Sequence, residues 1–189
     1  MDDSIRRTLV DLDAFLGGHE VPFAVIGGIA VAIRGEPRFT ADIDVVVGID
    51  RDAAVELLRS VARSAFEPLF PGAEDVVRDA FLLPLRHRVT QIKVDIAVGA
   101  TGFEQQVIRR APTESLGGLS VRVATSEDLL LMKALAGRPR DAEDARGIVS
   151  RQVGGIDWDY VIETGRQLQE VVDQDIVSQL LALRRESEA

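Results

Sequence analysis

The chain has 189 residues, 46% of them apolar, and a formal charge of −9. That is enough for one full hydrophobic core, and too acidic for a protein whose main task is coating nucleic acid by bulk electrostatics. It contains no cysteine, which excludes disulfide frameworks and thiolate metal sites.

In chain order, residues 1–17 place Ile5, Leu9, Leu12, Phe15 and Leu16 at helical spacing, with Gly17-Gly18 as a stop. Residues 21–26 read as a short strand, and 29–33 as a short helix begun at Gly27-Gly28 and ended by Gly35 and Pro37. Residues 43–47 form a nearly continuous apolar run, the pattern of a strand covered on both faces. A helix over 52–61 precedes a loop around Phe70-Pro71-Gly72. Strand-like segments over 81–85 and 91–98 flank the basic stretch Arg86-His87-Arg88, which reads as a hairpin turn. His19 and His87 fall in loops without metal-ligand spacing and receive no role. A helix over 103–110 and a strand over 119–123 follow. From Ser126 the pattern is helical throughout: Ser126 as N-cap for 128–136, Gly137 as its end, and Pro139 opening the next helix. Amphipathic helices over 158–172 and 176–185 complete the chain.

The expected fold class is therefore α/β (α+β), with a core of about four to five strands over 1–124. A helical C-terminal part, 125–189, packs on that core as a single compact unit. No apolar run approaches the ~20 residues needed to span a bilayer, and no charged segment followed by an apolar one opens the chain. A cytoplasmic protein with no membrane contact is expected. Charge is uneven: residues 152–189 hold eight acidic and three basic side chains, leaving −4 for the first 151. A nucleic-acid substrate is thus disfavoured rather than excluded. Arginines number 20, the pattern of a GC-rich coding bias, against two lysines, Lys93 and Lys133.

Three places carry candidate chemistry. Gly27-Gly28, after a strand and before a helix, either cradles phosphate on backbone N–H groups or makes a tight turn for steric reasons alone. Asp42 and Asp44 open a strand and, two apart, point the same way while Ile43 faces the core. Adjacent carboxylates repel, so the pair asks for a hard divalent metal with oxygen ligands, or else merely caps an exposed strand end. An EF-hand is ruled out, since Val46 and Val47 stand where an oxygen ligand and a glycine are needed. Asp95 lies in the apolar strand 92–98, sharing its face with Lys93 and Ala97. If that strand neighbours 42–47, three carboxylates converge on one patch, a set able to hold two Mg²⁺ ions about 3.5–4 Å apart.

The succession Val25-Ile26-Gly27-Gly28, Arg38-Phe39-Thr40-Ala41-Asp42-Ile43-Asp44 and Val94-Asp95-Ile96 resembles the nucleotidyltransferase fold of the DNA polymerase beta superfamily. More closely, it resembles the AbiEii-type nucleotidyltransferase toxins and their minimal relatives. Residues 125–144, with Lys133, Arg138-Pro139-Arg140 and Asp141-Ala142-Glu143-Asp144, match a later motif of that group; the resemblance covers roughly 20–148. It implies Gly27, Gly28, Arg38 and Thr40 at the nucleotide, Asp42, Asp44 and Asp95 on the metals, and Asp95 also orienting or deprotonating the acceptor hydroxyl. Lys133 would stabilise charge on the phosphates, with Asp141 or Asp144 holding it. Where many members carry Ser, this chain has Gly28, so only backbone donors remain there. Without the resemblance, Lys133 is an ordinary solvated lysine, and Asp141 and Asp144 are helix-dipole partners.

The function expected is a metal-dependent nucleotidyltransferase. It moves an NMP moiety from an NTP to an acceptor hydroxyl with release of pyrophosphate, using two Mg²⁺ ions, with Mn²⁺ as a substitute. The acceptor is a tRNA, a protein or a small molecule such as an antibiotic, and an antitoxin or a second copy of the chain is a further partner. The alternatives are a non-catalytic nucleotide-binding or interaction module on the same fold and a metal-dependent phosphohydrolase.

Overall fold

Ile43, Val45, Val46 and Val47 are wholly buried, and this run forms an inner strand of a five-stranded mixed sheet. The computed structural model describes residues 2–37, 39–99, 102–116 and 118–188. The chain divides into two units, one built from Met1–Ile29 and Phe39–Ala124, the other from Ala30–Arg38 and Thr125–Ala189.

The first unit holds the sheet. Helix α1 (Asp3–Gly18) is capped by Asp2, whose carboxylate accepts from Ser4 N–H at 2.8 Å, and buries Ile5, Leu9, Leu12, Phe15 and Leu16. Then follow β1 (Phe23–Ile26), the start of α2 (Gly27–Arg34), β2 (Asp42–Val47), α3 (Arg51–Ser60), β3 (Phe66–Pro68), α4 (Ala73–Ala80), β4 (Leu82–His87) and β5 (Lys93–Val98). Helix α5 (Gly102–Arg110) and a separate ribbon, β6 (Thr113–Leu116) with β7 (Leu119–Arg122), end the unit. The sheet order is β1-β2-β5-β4-β3, with β2 and β5 parallel and every other pair antiparallel. Along β5, Val94, Ile96 and Val98 are buried while Lys93, Asp95 and Ala97 are only partly covered. One face thus joins the core and the other is left for polar groups.

Where a hairpin turn was expected at Arg86-His87-Arg88, β4 runs on through His87, and the reversal comes over residues 88–92. His87, expected in a loop, is wholly buried. Its Nδ1 accepts from Thr90 N–H at 3.0 Å, which puts the ring proton on Nε2, 2.8 Å from Asp11 Oδ2. Thr90 Oγ1 in turn lies 2.6 Å from Thr8 Oγ1, so the network ties α1 to the reversal after β4.

The second unit is helical: the rest of α2, then α6 (Ser126–Ala136), α7 (Pro139–Arg151), α8 (Trp158–Gln169) and α9 (Ile176–Ser187). The N-cap of α6 is Thr125 rather than Ser126, accepting from Asp128 N–H at 3.2 Å. Gly137 ends that helix at φ +62°, and Pro139 opens α7 at its first turn. Helix α6 packs against α7, α8 and α9, and Leu129, Leu130 and Leu131 are all buried. Among the described residues no helix is long and apolar enough to cross a membrane.

Candidate active site

The polar face of the sheet collects the first unit's acidic candidates because β2 and β5 run side by side in register. Asp44 faces Asp95, and Asp42 faces Lys93. Adjacent strands lie about 4.8 Å apart, and partners across a ladder project to one face. Asp42, Asp44, Lys93 and Asp95 therefore share a patch at one end of the two strands.

The bend after β1 is shaped around one of these carboxylates. Ile26 is the antiparallel partner of Asp44, so the next residues pass directly over the Asp44 side chain. Gly27 sits at φ +58°, and a Cβ there would lie 2.0 Å from Asp44 Oδ2 and 2.6 Å from Asp44 Cβ. Only glycine satisfies both the left-handed backbone and the close approach. Gly28 N–H, at the start of α2, donates to Asp44 Oδ2 over 3.4 Å, and the positive end of the helix favours the negative charge there. Asp42 is held from the preceding loop: Thr40 Oγ1 lies 3.1 Å from Asp42 Oδ1 and 3.2 Å from its carbonyl oxygen. Arg38, the remaining candidate of that loop, lies outside the described residues.

Asp95 is held differently. Lys93 Nζ donates to Asp95 Oδ2 at 2.6 Å, while Asp95 Oδ1 is buried and, among the described residues, accepts no hydrogen bond. The hydrogen bond to Asp95 raises the Lys93 ammonium above its ordinary range against the opposing effect of burial, and the charges of Asp95, Asp42 and Asp44 add to the rise. Among the described residues no three carboxylate or imidazole groups stand close enough to hold a metal ion as they are. The donor chemistry itself fits a divalent cation, since three hard oxygen ligands share one face and one buried oxygen lacks a partner among the described residues.

The helical unit carries the other candidates. Lys133 on α6 is buried, and its Nζ lies 2.8 Å from both Asp141 Oδ1 and Asp144 Oδ2 on α7. The two aspartates, three apart, present to one side of the helix. Arg138 Nε reaches Asp141 Oδ2 at 2.7 Å. Burial works against ionisation of Asp141, yet the hydrogen bonds from Arg138 and Lys133 outweigh it and hold the carboxyl below its ordinary range. Lys133 is thus not a solvated surface lysine, and both aspartates hold it. The sequence reading missed the His87 network, whose members lie 76 residues apart for the Asp11 pair, a separation that leaves no local signal.

A family model described as "Nucleotidyl transferase AbiEii toxin, Type IV TA system" matches residues 10–153. Among solved structures, an antigenic nucleotidyltransferase-like protein from Paracoccidioides brasiliensis is 17% identical with a TM-score of 0.56, covering 96% of this chain and 94% of that one. ANT(2")-Ia, solved in complex with adenylyl-2"-tobramycin, is 14% identical with a TM-score of 0.53, covering 95% and 97%. At these identities both are likenesses of fold. No curated protein matches the chain in sequence.

Proposed function

The chain belongs to the AbiEii nucleotidyl transferase toxin family, and from that footing we propose that it transfers an NMP moiety from an NTP to an acceptor hydroxyl at the face formed by Asp42, Asp44 and Asp95. The observation that carries this reading is the pairing of Asp44 with Asp95 on adjacent parallel strands, with Asp42 on the same face and the Gly27-Gly28 bend packed on Asp44. Asp42, Asp44 and Asp95 would hold the divalent cation, Mg²⁺ by preference. When bound, it would supply charge neutralisation at the transferring phosphorus centre.

The chain's own groups divide the remaining work. Backbone N–H groups at the start of α2, with Arg38 and Thr40, bind the triphosphate at a positive helix terminus. The acceptor oxygen forms a bond to the α-phosphorus as the bond to the pyrophosphate oxygen breaks. Asp95 Oδ1, buried and without a hydrogen-bond partner among the described residues, takes the acceptor proton. Lys133 and Asp141 are assigned to the nucleotide on the family pattern, with Asp141 and Asp144 holding the Lys133 ammonium in place. Most of the acceleration then comes from positioning and electrostatic stabilisation. A cytoplasmic setting and an antitoxin as partner follow from the same family reading.

Incubation of the protein and Mg²⁺ with each α-³²P-labelled NTP and a cell extract tests the proposal. Label appearing on a macromolecule or small compound, with pyrophosphate released, is the expected result and names the acceptor class as RNA, protein or small molecule. Label recovered only as free nucleotide with release of orthophosphate would show a phosphohydrolase instead.

A further inference from the structure

One basic side chain stands among the three acidic ones. Lys93 is the register partner of Asp42, lies two residues before Asp95 on the same strand face, and binds Asp95 Oδ2 at 2.6 Å. An exposed pair of this kind is usually worth little, but Asp95 differs from a surface partner. Its side chain is 18% exposed, and its second oxygen is buried without a hydrogen bond from any described residue. An ionised carboxylate offers several acceptor positions, and among the described residues one ammonium is the hydrogen-bond donor to this one. The ammonium is a compact charge on a flexible four-carbon stem, with the Lys93 side chain 41% exposed, so it has room to swing out toward solvent. Arg86, its partner across β4 and β5, adds a second positive charge beside it.

We propose that Lys93 is a built-in counter-cation that competes with a divalent ion for Asp95 and thereby sets the metal affinity of the nucleotide-free site. The inference rests on the reading of this face as the divalent-cation site. Lys93 holds the carboxylates together while no metal is bound, and cation binding draws Asp95 away from it.

The test is Mn²⁺ binding to the nucleotide-free protein, read by electron paramagnetic resonance of the free ion. Wild type is compared with Lys93→Met, Asp95→Asn and the double variant. Removing a positive charge a few ångströms from the ion tightens binding on the order of tenfold in Lys93→Met. In the Asp95→Asn background the same substitution gains less than about twofold, because the two groups act on one another. Unchanged or weaker Mn²⁺ binding in Lys93→Met overturns the inference. So does an equal gain with and without Asp95, which would reduce Lys93 to long-range repulsion. Wild-type binding that is absent, or that survives Asp42→Asn, overturns the underlying reading of the face instead. A measurement on wild type alone covers the case in which Lys93→Met fails to fold. Acylation by an N-hydroxysuccinimide ester, followed by mass spectrometry, resolves the chain's two lysines. Saturating Mn²⁺ speeds labelling of Lys93 several-fold and leaves the buried Lys133 unchanged. A Lys93 rate that stays level or falls contradicts the competition.

Discussion

Gly27→Ala tests whether the bend after β1 is built around the Asp44 carboxylate. The added Cβ meets two separate penalties. At φ +58° an alanine costs about 1–2 kcal/mol for the left-handed backbone. It also overlaps Asp44 Oδ2, Cγ and Cβ at 2.0, 2.5 and 2.6 Å. Because the overlap reaches Asp44 Cβ, rotating the carboxylate away does not relieve it, and forced repacking of this kind costs about 1–3 kcal/mol more. The sum is about 2–5 kcal/mol, a fall in melting temperature on the order of 10 °C for a chain of this size. Gly72→Ala is the control in the same unit: its φ of +84° is at least as demanding, yet its nearest neighbour is Asp75 Oδ2 at 3.8 Å, so only the backbone penalty of about 1–2 kcal/mol applies. Thermal unfolding followed by circular dichroism in EDTA separates the two. Equal losses in both variants would refute the claim that Gly27 exists to admit Asp44.

Lys133→Met takes away the ammonium shared by two buried carboxylates, and breaking a buried pair from one side costs about 3–5 kcal/mol. Trp158, the chain's one tryptophan and the first residue of α8, reports the loss by fluorescence in urea, and a change below about 1 kcal/mol would contradict the triad. Acid stability of the helical unit follows from Asp141, whose carboxyl is held below its ordinary range. Its contribution is fully present above about pH 4, the unfolded value, and is lost as pH falls through the lower folded value. The same fluorescence, followed down in pH, is expected to hold a plateau to about pH 4 and decline below it in wild type, and to decline less in Asp141→Asn. His87→Ala opens a cavity beside Phe66, whose ring centroid is 5.3 Å away, and strands Asp11 and Thr90. A loss of about 2–4 kcal/mol in chemical unfolding is expected, and a near-neutral variant would show that the network is incidental.

The site's skeleton was legible because it obeys strand periodicity. Asp42-Ile43-Asp44 and Lys93-Val94-Asp95 announce which side chains share a face, and their apolar companions announce that both strands lie inside a sheet. Register is another matter: that Asp44 faces Asp95 depends on the crossover through α3 to β4, which no local pattern encodes. Nor does alternation say that Lys93 takes one Asp95 oxygen and leaves the other orphaned. Elements with weak patterns escaped: β3 is three residues ending in Pro68, β6 is the polar run Thr113–Leu116, and α4 follows a glycine bend and buries only Ala73 and Val77. Thr125 and Ser126 were equally able to cap α6, and geometry, not chemistry, selected Thr125. His87 looked like part of a charged turn because its partner Asp11 lies 76 residues away, and Thr8 joins the network only through Thr90.

The most direct measurement of the central claim is calorimetric titration of NTP into the protein with and without Mg²⁺, for wild type, Asp42→Asn and Asp44→Asn. If the β2 and β5 carboxylates form the transfer centre, wild type binds nucleotide only with the divalent ion present, and both variants lose that dependence while keeping their fold. Nucleotide binding that is indifferent to Mg²⁺, or that persists unchanged in either variant, would contradict it.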